Sequence, residues 1–502
     1  MTAAFSPQRL LVIDIDGLRQ DVFHQSLAEN RIPYLAGLLG GPENNFGCHL
    51  DPVSPFPSIT FCAQSTIFTG QNPSIHGIPG NQFFDRFGRH TGGVPRFYAF
   101  DVGDALAYDD AVFTFTGPLG LVGQTLDPSA RTLYERAAQH GLSSTVVYHM
   151  VSRGAAHWIR PSLVDIARFT KGGGLIGMSA AEYDREMIAK TLAYLRSGAR
   201  PDILTVYFMG LDHTSHQEGP GAQLEYLSRI VDKQIRRLAA SLRANDLLEG
   251  TLVAVVSDHG QIRVIPDDRH SLRLSFPFDR EMGYLFDALG LDVQDKPREG
   301  PDTDAVVASN GGMAQVFLRR RQANWEDSPR FYDDVFPVSR AFWEAHETGR
   351  YSQDLFGALS LILVRNVEQG GWQAGYQALT PAGILLPVEE YLREHPEIRT
   401  VDAGARLRGL AGPLSGDIVL VSNYAEGFYF GGPTVGVHGG LHPEDSLAVA
   451  SLGWVGANSA QRKWLEEVVL GICQDRRVAE GREYASLSDL TPVLERLLSL
   501  GE

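Results

Sequence analysis

Cysteine is scarce: Cys48, Cys62 and Cys473 are the only three in 502 residues. So small and scattered a set supports neither a disulfide framework nor a thiolate zinc site. Long apolar runs are missing as well, since no stretch approaches the roughly 18 residues of a membrane-spanning helix. The opening MTAAFSPQRLLVIDIDG lacks the charged start, apolar stretch and cleavage site of a secretory leader. The sequence therefore reads as that of a cytoplasmic protein without a membrane partner. Positive charge is in deficit, with 44 Lys and Arg against 60 Asp and Glu and a net charge of −16. That excludes a general coat for nucleic acid, which demands a basic surface. A small anionic substrate stays admissible where metal ions supply the local positive charge. Internal repeats and low-complexity tracts are absent too.

What is present is ordinary globular material, 43% hydrophobic and 21% charged, in a chain longer than one hydrophobic core usually spans. Three segments share one design. RLLVIDID (9–16), DILTVYFMGLD (202–212) and GTLVAVVSDH (250–259) are short, apolar, largely β-branched, and end at or beside Asp. Continuous apolar runs of this length suit strands buried on both faces, as in a parallel sheet covered by helices. The stretches 179–198 and 223–246 carry apolar residues at helical intervals. The alternation predicts an α/β fold, a doubly wound, mostly parallel sheet flanked by helices. Residues 265–410 break the rhythm with charge, Pro and Gly and are read as an inserted cap or substrate subdomain. The core then comprises 1–264 and 411–502, resuming with GDIVLVSN (416–423) and closing with the amphipathic LSDLTPVLERLLSL.

In doubly wound sheets ligands collect at the carboxyl ends of the strands. Asp16 ends the first strand. Asp212 and His216, four residues apart in LDHTSH, follow the second, and Asp258-His259 ends the third. His438 stands among glycines in GVHGG. Three carboxylates and three imidazoles at strand ends and adjacent loops make a set suited to zinc or a similar divalent ion. Six such groups exceed what one catalytic ion takes, so the expectation is two. Asp14, deeper on the first strand, is read as supporting; His442 competes with His438 as ligand; His76, His213 and His270 are read as structural.

The segment PSITFCAQSTIFTGQNPSIHGIPGN (57–81) leaves two readings open. Ser58 or Thr60 caps a helix running to about Thr69, or the Thr60 hydroxyl, placed where a helix start favours anions, is a nucleophile.

The motifs DIDGLRQDV, TFCAQSTIFTGQNPSIHGIPGN, YFMGLDHTSHQEGP, VVSDHG and GVHGG, in this order, resemble the alkaline phosphatase superfamily, and more closely its type I phosphodiesterase/nucleotide pyrophosphatase family. The resemblance is spread over 10–100, 200–262 and 415–499 and does not cover 265–410. It implies a metal-dependent hydrolase of phosphate esters acting through a phospho-threonine intermediate. Thr60 takes the nucleophile's place. Asp16, Thr60, Asp258 and His259 would hold one divalent ion, and Asp212, His216 and His438 the other, with zinc expected and manganese or iron as the alternatives. Asn81 falls where the family's phosphate-binding Asn occurs, and Phe61 where an aromatic flanks the substrate. The chain departs from the family with TFCAQ in place of the Thr-Phe-Pro-Asn of the eukaryotic-type enzymes.

A phosphonate hydrolase and a phosphomonoesterase of the same superfamily use the same metals. A sulfatase would need the Cys/Ser-x-Pro-x-Arg site, which is absent, and a metal-dependent phosphoglycerate mutase uses Ser. A catalytically inactive binding protein would lack a ligand or the nucleophile, and none is missing. From Val53 to Gln82 there is no Lys or Arg, which suits a diester monoanion better than a monoester dianion. The aromatic residues of the cap, Trp325, Phe331 and Trp343, are expected to select the substrate.

Overall fold

The computed structural model describes residues 5–100, 119–170, 177–274, 281–295, 297 and 299–500. The strand Arg9–Ile15 lies mid-sheet, parallel to Ile203–Phe208 on one side and to Thr251–Val256 on the other. Ser144–Val147 and His157–Ile159 continue the parallel ladder beyond Ile203–Phe208. Ala450–Trp454 and Cys48–His49 close the opposite edge in antiparallel register. The fold is thus α/β with a mostly parallel sheet. Alternation along the central strand divides two cores: Leu10 and Val12 enter one, while Leu11, Ile13 and Ile15 enter the other. Apolar residues on both faces of a strand are what such a double burial requires.

The expected helices form with local refinements. Ala180–Arg196 starts at a capping box between Ser179 and Glu182. The 223–246 stretch is not one regular helix, because a π-turn at Leu227–Val231 separates Gln223–Tyr226 from Asp232–Ala244. Helix Thr60–Thr69 is buried at all ten positions and ends at Gly70 with φ +68°. A Cβ there would meet the Pro492 ring at 2.9 Å, so glycine lets the closing helix Leu490–Leu497 approach. The Thr491 hydroxyl donates to the Ile67 carbonyl across that contact.

A second sheet has the order Val293–Asp295, Ala305–Asn310, Met313–Leu318, Ile418–Ser422, Leu359–Val364, Gln377–Leu379, Leu385–Leu386. The segment 416–423, expected to resume the core sheet, instead places Ile418–Ser422 here, antiparallel to Met313–Leu318 and Leu359–Val364. Its unbroken apolar run fits the interior of either sheet, and only pairing decides. Trp325, Phe331 and Trp343 are 5%, 2% and 4% exposed, and the two indoles donate to the carbonyls of Pro301 and Leu379. They pack against the second sheet rather than lying open on the surface. Residues 275–280, 296 and 298 of the cap lie outside the described residues. Among the described residues no helix is long and apolar enough to cross a membrane.

One buried carboxyl lends itself to a stability test. Asp184, fully buried, accepts from the Tyr226 hydroxyl at 2.9 Å and the Gly210 N–H at 3.3 Å. Burial outweighs these bonds and pushes its pKa up to about 7. A carboxyl raised in the folded state contributes full stability below its unfolded pKa and loses it as pH climbs to the folded one. Asp184→Asn is therefore expected to gain stability relative to wild type between pH 4 and 7, with a plateau above. The pH-dependent part is at most about 4 kcal/mol. Melting curves at pH 4, 5.5 and 8 read it, and a constant difference across the three refutes the assignment.

Candidate metal centre

Because the three strands run parallel, their carboxyl ends share one edge of the sheet. Asp16 directly follows Ile15, and Asp258 and His259 stand just past Val256. Asp212 lies in the first turn of helix Gly210–Glu218, which starts just after Phe208, and His216 follows one turn later on the same side. His438 comes next to Gly436–Val437, a short strand paired with Ile262–Arg263 beyond His259. Gly17 is required between these parts. Its φ is +67°, and a Cβ would meet Asp212 Oδ1 at 2.6 Å.

The side chains converge on His259. Its Nε2 lies 3.1 Å from Thr60 Oγ1, 3.4 Å from Asp258 Oδ2 and 3.5 Å from Asp16 Oδ1. Beside it, His216 Nε2 is 3.3 Å from Asp212 Oδ2 and 3.1 Å from His438 Nε2, which is 3.7 Å from Asp212 Oδ1. The His259 and His438 rings stack at 3.7 Å. Two sets, Asp16/Asp258/His259 and Asp212/His259/His438, each bring ligand atoms within 4.8 Å of one another and could hold a metal ion.

The donor chemistry fits cations. Each imidazole sets its Nδ1 against a backbone carbonyl: His259 on Gly260 at 2.9 Å, His216 on Gly436 at 2.7 Å, His438 on Ser58 at 3.2 Å. That tautomer turns the Nε2 atoms inward, where those of His216 and His438 lie 3.1 Å apart. Asp16 Oδ1 and Asp258 Oδ2 are buried without a hydrogen-bond partner, a costly state for carboxylates unless a cation is near. Burial, then the charges of Asp258 and Asp212, push the Asp16 carboxyl well above its usual range. Burial would raise Asp212 too, but the imidazoles beside it, His216 first, lower that carboxyl to the extent that they carry a proton. Burial and then His259 keep His438 far below the usual imidazole range, in the neutral form that binds metals.

Thr60 is the first residue of its helix, and Ile59 is the N-cap without a side-chain bond. Neither Thr60 nor Ser58 caps, since Ser58 Oγ donates to the Gly440 carbonyl at 3.0 Å. The Thr60 hydroxyl, 8% exposed, faces His259 instead. Asn81 Oδ1 accepts from the Phe61 N–H at 2.9 Å, and the Phe61 ring packs on Phe100 with centroids 5.0 Å apart. His442 caps the turn Pro443–Ser446 by accepting from the Glu444 N–H. His76 is buried against Thr66, with Nε2 3.0 Å from its hydroxyl. His213 packs on Phe169, and His270 pairs with Asp267 and packs on Phe428.

Sequence reasoning overlooked four side chains behind the candidate ligands. The Tyr207 hydroxyl donates to Asp16 Oδ2 and the Gln261 amide to Asp212 Oδ1. Gln64 and His149 bond to Asp14. His149 carried a usable signal, because STVVYHM is another buried β-branched run with a metal-ligating residue type at its tip. The others sit within helix, strand or loop, where no pattern marks them.

The profile of the type I phosphodiesterase/nucleotide pyrophosphatase family matches residues 10–351. The chain belongs to that family. Its members are hydrolases of phosphoester bonds. The match includes residues 265–351, which corrects the expectation that the family likeness leaves out all of 265–410. A pyrophosphatase/phosphodiesterase of Schizosaccharomyces pombe, itself described as uncharacterized, is 26% identical over 253 residues, covering 50% of this chain and 44% of that protein. The aligned part thus spans less than half the length of that phosphodiesterase. Murine ectonucleotide pyrophosphatase/phosphodiesterase 5, solved as an inactive variant in complex with AMP, aligns over 98% of this chain and 95% of its own, with 14% identity and a TM-score of 0.55. The human protein of the same name gives 98%, 95%, 15% and 0.56. At such identities these two establish the shared fold alone.

Proposed function

We propose that the protein is a phosphodiesterase/nucleotide pyrophosphatase in which Thr60 attacks phosphorus beside two divalent ions, zinc first among them. The observation that carries the reading is the Thr60 hydroxyl itself: making no capping bond, at a helix start, 3.1 Å from His259 Nε2 and beside Asp16 and Asp258, each with one buried oxygen that has no hydrogen-bond partner. Asp16, Thr60, Asp258 and His259 would hold one ion; Asp212, His216 and His438 would hold the other. Bound there, the pair lowers the pKa of hydroxyls and offsets the charge of the transition state. Thr60 Oγ1 forms the new P–O bond as the bond to the leaving alcohol breaks, and the Thr60 proton leaves to solvent. Water then cleaves the phospho-threonine ester and regenerates the hydroxyl. Two in-line displacements give retention at phosphorus. With Asn81 Oδ1 fixed by the Phe61 N–H, its Nδ2 is the donor offered to a non-bridging oxygen as charge builds there. Phe61 lies against the substrate's ester group.

Residues 265–410, in this reading, set substrate choice through their edge at the centre. Asn310 brackets Gln82, its Oδ1 accepting from the N–H and its Nδ2 donating to the carbonyl, both at 3.0 Å. The Gly312 N–H donates to the His438 carbonyl at 2.9 Å. That edge therefore reaches both the Asn81 loop and the His438 loop.

Diesters are the substrate class. Arg86, the first basic residue after the nucleophile helix, is fully buried and paired with Asp417 at 2.9 Å, and Arg89 faces Asp127 at 3.6 Å. Neither is offered to a third unesterified oxygen. The kcat/KM for bis-nitrophenyl phosphate or a nucleotide nitrophenyl ester is expected to exceed that for nitrophenyl phosphate by about tenfold or more, equivalent to ~1.4 kcal/mol. The reverse preference would make the protein a phosphomonoesterase, and turnover of nitrophenyl phosphonates alone a phosphonate hydrolase.

A further inference from the structure

Behind the centre lies a closed polar ring made of Asp14, Gln64 and His149, each fully buried. Gln64 Nε2 donates to Asp14 Oδ1 at 3.2 Å, and His149 Nε2 lies 3.2 Å from Asp14 Oδ2 and 2.9 Å from Gln64 Oε1. The Val151 N–H donates to His149 Nδ1 at 2.9 Å. Nδ1 is therefore an acceptor, and the ring proton sits on Nε2, where it serves both oxygens. Phe68 and Tyr207 pack edge-on against the His149 ring at 4.6 and 5.0 Å. In such surroundings an unpartnered amide or carboxylate is costly, so three groups that satisfy one another have a single favoured arrangement.

The ring's placement suggests what it does. Asp14 is two residues before Asp16, hence on the same face of the strand, and Gln64 is one helical turn after Thr60, on the same side of the helix. His149 follows the Ser144–Val147 strand. The ring thus ties the strand that ends in Asp16 to the helix that begins with Thr60, one step behind each. One step forward, Thr60 and Asp16 meet at His259.

We propose that Gln64, held by Asp14 and His149, is a positioning residue that fixes the Thr60 hydroxyl relative to the Asp16 carboxylate. The inference rests on Thr60 being the nucleophile. Displacing a reacting atom by about 1 Å costs on the order of 10²-fold in rate, whereas a purely structural contact would change only melting temperature. The experiment measures kcat and KM with bis-nitrophenyl phosphate, bound zinc per chain, and inhibition by orthovanadate, a mimic of the five-coordinate transition state. Gln64→Leu is expected to lower kcat by about 10²-fold with KM nearly unchanged. Zinc content should stay at the wild-type level, and orthovanadate inhibition should weaken roughly in step with kcat. His149→Leu should behave likewise. His149→Gln, which keeps an N–H donor for Asp14, should recover most of the rate.

Thr60→Ala is run beside them. If it turns over like wild type, the nucleophile assignment has failed, whatever Gln64 does. If it is inert while Gln64→Leu and His149→Leu keep wild-type kcat and orthovanadate affinity, the positioning role is wrong. Loss of zinc along with activity would also overturn it and assign the ring to metal binding. Should Gln64→Leu not fold, Gln64→Asn, with an amide one methylene too short to close the ring, is expected to show the same fall in kcat, and wild-type kcat there would refute the proposal.

Discussion

Thr60→Ala is expected to lose roughly 10⁴-fold or more in kcat, the scale on which removal of a covalent nucleophile acts, while keeping its fold and metal. The contrast follows from what the hydroxyl touches. It makes no capping bond, because Ile59 is the N-cap, so its loss falls short of the ~1 kcal/mol that a removed cap costs. Its neighbour is His259 Nε2, an atom turned inward by the Nδ1 bond to Gly260 and held whether or not Thr60 is present. The helix keeps its other anchors, from Thr66 to His76 and from Thr491 to the Ile67 carbonyl. Steady-state rates with a nitrophenyl diester, melting temperature and elemental analysis decide the matter together. Wild-type turnover in Thr60→Ala would move the search to another hydroxyl. Ser58 and Ser65 are the nearest in sequence, yet both donate to backbone carbonyls, of Gly440 and Phe61. A parallel loss of metal would make Thr60 chiefly a ligand.

Removing the ions is the second large effect. Wild-type protein supplied with zinc is expected to carry about two ions per chain, the number that two-metal phosphoryl chemistry requires. Exhaustive chelation should abolish activity and lower the melting temperature. The reason lies in buried carboxylate oxygens and imidazole nitrogens turned toward one point. Asp16 and Asp258 each leave one buried carboxylate oxygen unpartnered, and His216 and His438 oppose Nε2 atoms at 3.1 Å. Asp258→Asn and His216→Ala should each lose metal and activity together, unlike Thr60→Ala. Asp258→Asn also tests a structural contact, because Asp258 Oδ1 accepts from the N–H groups of Gly17 and His259 at 3.0 Å. An Asn oxygen can keep those bonds, so a lost ion rather than a lost loop should account for the defect. Activity that persists after chelation, or binding of one ion at most, would overturn the dinuclear reading.

The central sheet was legible in the sequence because burial on both faces leaves an unmistakable composition. RLLVIDI, ILTVYF and TLVAVV could hardly be anything but interior strands, and parallel pairing then obliges their carboxyl ends to share an edge. Asp16, Asp212, His216, Asp258 and His259 follow from that rule, since each lies at a strand end or on the short helix that follows one. Shorter or isolated elements escaped. Ala450–Trp454 carries Gly and Trp within five residues and reads weakly as a strand, and the π-turn at Leu227–Val231 leaves no mark on a helical period.

By itself the sequence determined the fold class, the placement of the Asp residues at strand ends and the motif order that marks the family, because these depend on composition and on spacing along one chain. Only the tertiary structure decided which sheet Ile418–Ser422 joins, since an apolar strand fits any interior and its hydrogen-bond partners are more than 50 residues away in sequence. It likewise decided that Trp325, Phe331 and Trp343 pack a core rather than lie open on the surface, as aromatic residues read alike in both places. Asp14, Gln64 and His149 meet across separations of 50, 85 and 135 residues. A polar side chain's partner is set by which elements cross, and no local pattern records the crossing.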